Sequence, residues 1–169
     1  MNTDTFYAAA SALCFTLLGL WWVVVQFRHA EMTATPTARR FAFLVSLYFI
    51  LPGLVSLASL LAAGGVLWRV SFAAAGLAGI AAVIVAARGA APAGAMRLLA
   101  RWSWVAAPFY ALVTIIAIAP DLARRGLGLE PLQVEGFLLV AILFLGVTFA
   151  WLLFTDPAPP TDRTNADIR

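Results

Sequence analysis

The chain has 169 residues, of which 63% are hydrophobic and 11% charged, with a mean hydropathy of +0.95 and a net charge of +3. Soluble domains carry about 25% charged residues, so this chain lacks the polar material for a water-facing surface, and its main solvent is lipid. All 11 basic residues are arginine and lie scattered between apolar runs, which argues against a nucleic-acid-binding face.

The first apolar run covers residues 5–27. At about 20 residues it is long enough to cross a hydrocarbon core of about 30 Å. The preceding Met-Asn-Thr-Asp-Thr has no basic character, so the run reads as a retained helix rather than a cleaved leader. Within it Cys14, the single cysteine, excludes an intrachain disulfide and a Cys-paired zinc site, and reads as a small buried residue. The run ends in GLWWVVVQFRHAEM, which gathers Gln26, Arg28, His29 and Glu31. His29 is the chain's one histidine and no second acid lies nearby, so the stretch lacks a metal-ligand set and a nucleophile with its base. It reads as a helix end, with Arg28 and His29 at the negative pole of the dipole and near anionic headgroups. His29 retains one functional role, that of a pH-sensitive group beside a pore mouth.

The second run, 41–63, contains Ser46, Pro52, Gly53, Ser56 and Ser59. Proline removes an intrahelical hydrogen bond, so a kink is expected near the middle of this helix. Pro52, Gly53 and Ser56 are hinge or pore-wall candidates; the plainer reading is a kink whose freed carbonyl is satisfied locally. The third run, 66–87, spaces Ala74, Ala78, Ala82 and Ala86 by four, with Ala75 and Gly79 alongside. Such a ridge lets helices approach closely in lipid, which places this helix at the bundle centre or at a subunit interface. Arg69, one turn into the run, needs a partner or a route to the interface. An outer ionic cluster of Arg69, Asp121 and Glu135 follows, with Arg69–Glu135 or Arg69–Asp121 as the pair, serving as a charged vestibule or as a tie between helix ends.

Arg97 and Arg101 precede the fourth run, 102–119, in a stretch that reads either as a short interfacial segment or as a plain loop. The fifth run, 133–154, spaces Phe137, Phe144 and Trp151 by seven, an aromatic stripe for lipid or packing. Residues 156–169 form a polar, proline-rich cytoplasmic tail, expected to be mobile.

The fold class that follows is an all-α integral membrane protein: five transmembrane helices in one domain, 1–155, plus the tail. The runs do not alternate as barrel strands do. With the N-terminus outside, Arg28, Arg39, Arg40, Arg88, Arg97, Arg101, Arg163 and Arg169 fall inside and Arg69, Arg124 and Arg125 outside. The positive-inside rule then gives an N-out, C-in orientation. Trp21, Trp22, Trp102, Trp104 and Trp151 fall near inner helix ends and Trp68 near an outer one, as expected for indoles at headgroup level.

No ionisable residue lies at mid-depth, which disfavours a proton pump, and no arginine ladder marks a voltage sensor. Two functions fit: a homo-oligomeric channel or passive pore subunit with its path on a symmetry axis, and a non-enzymatic scaffold or accessory subunit of a larger membrane complex. Paired acids and a nucleophile–base pair are lacking, so no enzyme, catalytic residue, cofactor or metal site is expected. The expected partners are the lipid bilayer, further copies of the chain or a partner membrane subunit. The lysine-free composition points to a bacterial cytoplasmic membrane.

Overall fold

A computed structural model describes residues 2–61, 65–88 and 101–155. The expected tail and the stretch around Arg97 lie outside the described residues. The described residues are all-helical, 92% of them in helix. In chain order the elements are α1 (Thr3–Phe27), α2 (His29–Thr33), α3 (Pro36–Leu61), α4 (Val66–Ala87), a 3-10 turn (Ser103–Val105), α5 (Ala106–Ile118), α6 (Asp121–Leu127) and α7 (Pro131–Thr155).

Capping chemistry extends several helices beyond their apolar runs. The Asn2 side chain accepts from the Asp4 amide (3.3 Å) and starts α1. Thr35 Oγ1 accepts from the Ala38 amide (3.0 Å) ahead of Pro36, so α3 begins five residues before Phe41. At the start of α7 the Glu130 amide donates to the Gln133 side chain (3.2 Å) and the Gln133 amide donates back to the Glu130 carbonyl (2.9 Å), ahead of Pro131.

Helices α1, α3, α4 and α7 are each long and apolar enough to cross a membrane. The expected fourth span differs. Helix α5 has 13 residues, about 20 Å of rise, and α6 follows at a bend of 106°. Pro120 is the reason: a residue before proline is pushed out of the helical region, and Ala119 sits at φ −123°, ψ 70°. Among the described residues, the helices long and apolar enough to span therefore number four, or five with the bent pair counted as one.

The centre of the bundle is α3 rather than α4. The most apolar window of α3 is 61% buried, against 28% for α4. Helix α3 packs on α1, α4 and α7, and α5 closes the bundle against α4 and α7. Of the expected small-residue ridge, Gly79 and Ala86 are on the buried side of α4 and the other members are not. Ala74 and Ala78 are exposed and Ala82 is half-buried, while Phe72, Gly76, Gly79, Val83 and Ala86 form the buried line of α4. The cause is the fit to α5: a methyl at Gly79 would collide with the Tyr110 ring, and one at Gly76 would lie 2.8 Å from the Tyr110 carbonyl oxygen. Helix α3 continues through Pro52.

Two of the tryptophans expected at headgroup level are tied to α3. Trp21 is buried and donates Nε1–H to the Ala42 carbonyl (3.1 Å); Trp22 donates to Ser46 Oγ (3.3 Å).

Candidate functional site

Most hydroxyls in the spans are satisfied within their own helix. Thr16, Ser46, Ser71, Thr114 and Thr148 each donate to the carbonyl four residues back, and Ser59 donates to Ser56 (2.8 Å). Three buried side chains break this rule. The Tyr48 hydroxyl, the Ser56 hydroxyl and both carboxyl oxygens of Glu135 have no hydrogen-bond partner among the described residues. Buried polar groups are ordinarily paired, and an unpaired one loses its solvation without return. A buried acid within a span is a functional candidate in its own right.

The three are linked by helix geometry. Ser59, Ser56, Pro52 and Tyr48 recur along α3 at intervals of three, four and four residues, which puts them on one stripe. All four are buried. Facing them, α7 runs antiparallel and presents Leu132, Glu135, Leu139 and Ile142 at the same helical spacing. Pro52, Val55, Leu139, Ile142, Gly76 and Tyr110 enclose a small cavity of about 10 Å³, so the two stripes meet at that level. Glu135 lies one turn nearer the amino-terminal end of the bundle, level with the serines. It is fully buried, about 6 Å of rise from the start of α7.

Above the column, at the amino-terminal end, opens a cleft of about 390 Å³ whose lining includes Asp4, Tyr7, Ser59, Arg69, Arg124 and Glu130. Tyr7, in that lining, donates its hydroxyl to the Leu132 carbonyl at 2.7 Å. Leu132 is one turn from Glu135. Below the column, beyond Tyr48, the core is apolar: Phe41, Val45, Trp21, Val83, Phe149 and Leu153 are all buried. The Tyr48 ring packs at 5.2 Å from Phe149 and 6.1 Å from Tyr110.

The expected ionic cluster is not assembled. Arg69 donates Nε–H to the Ala117 carbonyl (2.9 Å) and an Nη2–H to the Ile118 carbonyl (2.6 Å), and forms no ion pair with Asp121 or Glu135 among the described residues. The last carbonyls of a helix have no intrahelical partner, and the break at Pro120 leaves those of α5 to be met from outside. The guanidinium also sits at the negative pole of α5. Asp121 is exposed in the first turn of α6. The ion pair at this end is Arg124–Glu130, at 3.2 Å.

The opposite end repeats the device. Arg28 donates to the Leu153 and Phe154 carbonyls at the end of α7 (2.7 Å each) and pairs with Glu31. The QFRHAE stretch is thus a clasp between α1, α2 and α7, with His29 exposed beside it. Of the hinge or pore-wall candidates, Pro52 and Ser56 belong to the column. Gly53 faces α1, where a methyl would lie 3.2 Å from Cys14 Cβ and from the Phe15 ring. Among the described residues no group of three His, Cys, Asp or Glu side chains converges on one point.

Sequence reasoning passed over Tyr7 and Tyr48. The three-four-four spacing back from Ser59 through Ser56 and Pro52 was the signal that leads to Tyr48. Tyr7 gives no such sign, because its partner is a backbone carbonyl 125 residues away.

The chain matches no family model, no curated protein and no solved structure.

Proposed function

We propose that the protein is a non-enzymatic, passive pore subunit for small cations, with a path that enters at the amino-terminal cleft and follows the buried polar column. One observation carries this reading: Ser56, Tyr48 and the Glu135 carboxyl form a row of unmet polar groups leading inward from an open cleft. Water and a permeating cation supply the hydrogen bonds that the protein leaves unmade. An acidic side chain at the entrance favours cations, and the apolar segment beyond Tyr48 is a gate of the dewetting type. On the arginine distribution the cleft faces outward and the gate inward. Copies of the chain assemble through the outward face of α4, where Ala74 and Ala78 are exposed.

Liposomes containing the purified protein should pass protons or monovalent cations faster than empty vesicles, and Glu135→Gln should lower that flux by about tenfold or more. Flux no greater than in empty vesicles, at either polarity of membrane potential, refutes the pore.

The exposed alanine face of α4 also favours a second reading, a scaffold for a partner membrane subunit. Recovery of a stoichiometric partner from native membranes, combined with zero flux, would select it.

A further inference from the structure

A second concavity lies beside the cleft. Phe6, Leu132, Gly136, Phe137 and Val140, together with Thr3, line an open groove of about 470 Å³ between α1 and α7. Its wall is apolar and lies along the outer side of two spans, where the solvent is hydrocarbon. Phe137 and Val140 are 71% and 51% exposed, so neither is covered by the chain itself. Gly136 sets the width: a methyl there would lie 2.9 Å from the Phe6 ring and force that wall outward. The groove shares Thr3 and Leu132 with the cleft, so the two form one continuous amphipathic surface that is apolar along the spans and charged at their ends.

The charged end carries both signs in balance. Arg69 and Arg124 stand with Asp4 and Glu130 around the cleft. An arginine has five N–H donors. Arg69 uses two on the α5 carbonyls and Arg124 uses one on Glu130, which leaves donors on both for a phosphate. Arginine–phosphate hydrogen bonds are charge-assisted and among the stronger kinds. The two carboxylates suit an ammonium group.

We propose that groove and cleft together seat one membrane phospholipid with a zwitterionic headgroup. Its acyl chain lies along Phe137 and Val140. Its phosphate meets Arg69 and Arg124, and its ammonium meets Asp4 and Glu130. A net-anionic headgroup would meet the same carboxylates without an ammonium to offset them. The headgroup shares the cleft with the entrance of the proposed path, but the assignment is tested separately, because it requires a bound lipid and no flux.

Native mass spectrometry of delipidated protein, titrated with phosphatidylethanolamine or phosphatidylglycerol, tests it. One phosphatidylethanolamine should bind in preference to phosphatidylglycerol. Val140→Trp, which fills the groove, should reduce the bound fraction by about tenfold, and Asp4→Asn combined with Glu130→Gln should remove the headgroup preference. Wild-type-like binding by Val140→Trp at an unchanged melting temperature overturns the proposal, as does preference for phosphatidylglycerol. A phosphatidylethanolamine with a photoreactive acyl chain needs no substitution. Cross-links should concentrate on Phe6, Phe137 and Val140, and an even spread over the exposed faces of α1, α3, α4 and α7 overturns the assignment.

Discussion

Replacing Gly76 by alanine probes the closest helix contact in the bundle. The added methyl would lie 2.8 Å from the Tyr110 carbonyl oxygen and 3.1 Å from the Thr114 amide nitrogen, and would collide with the Thr114 hydroxyl. Two of these three neighbours are backbone, so no side-chain rotation relieves the clash and α5 must move away from α4. Overpacking of this kind costs about 1–3 kcal/mol, partly offset by the gain of about 0.8–1.0 kcal/mol for alanine over glycine in a helix. Gly19 in α1 supplies the reference, since a methyl there meets nothing within 4 Å. Gly19→Ala keeps the propensity gain without the clash, so the two variants should differ by about 2 kcal/mol. For a chain of this size that is about 4–8 °C in melting temperature. Cys14 is free and buried, so a thiol-reactive dye reports unfolding directly in detergent. Gly76→Ala should melt below the wild type and Gly19→Ala at or above it. Equal melting of the two variants refutes the packing assigned to α4 and α5.

Arg69→Leu strips two terminal carbonyls of their donor and should cost about 1.5–3 kcal/mol in the same melt. Combined with Glu135→Gln, its effect should add within about 0.5 kcal/mol; a larger coupling energy would show that the two side chains pair after all. Glu135→Leu replaces an unpartnered buried acid with an apolar side chain of similar size, and should raise stability by about 1–3 kcal/mol while abolishing flux. A lower melting temperature would mean that the carboxyl has a structural partner. Arg28→Ala should loosen the clasp on the end of α7 and lower stability by about 1.5–3 kcal/mol, whereas His29→Ala should leave the melt unchanged because His29 is exposed.

Hydropathy alone placed the apolar helices, because any backbone in lipid must satisfy its own hydrogen bonds. What it could not place was which side of each helix faces inward. In water, burial sorts apolar from polar faces; in lipid both faces are apolar, and packing is decided by size instead. Of the small residues expected to pack in α4, Gly79 takes a close contact, and Gly76, which the alanine spacing did not mark, takes the other, because only glycine admits the Tyr110 ring and the α5 backbone. Arg69 was legible as a charge in need of partners. Its actual partners were not, since they are carbonyls released by the helix break at Pro120 rather than carboxylates. The fourth run, 102–119, differs mainly at its start, where Ser103–Val105 form a 3-10 turn ahead of Ala106, and its end at Ala119 falls one residue past the helix, where Pro120 breaks it. The α3 side of the polar column was visible in part, as Ser56 and Pro52 without Tyr48. The other half, Glu135, stands across the interface on α7, and its position opposite the serines emerges only from the antiparallel packing of the two helices.

The central claim, that water enters the column from the cleft, is tested most directly by cysteine accessibility. In a Cys14→Ala background, Ser59→Cys, Ser56→Cys and Leu57→Cys are treated with a charged, membrane-impermeant thiol reagent from the side bearing the N-terminus. Leu57 is 41% exposed on the outer surface of α3, where a charged reagent has no aqueous route. Modification at positions 59 and 56 with position 57 inert is the result this account predicts. Position 56 as inert as position 57 would contradict it, because the row of polar groups would then have no connection to water.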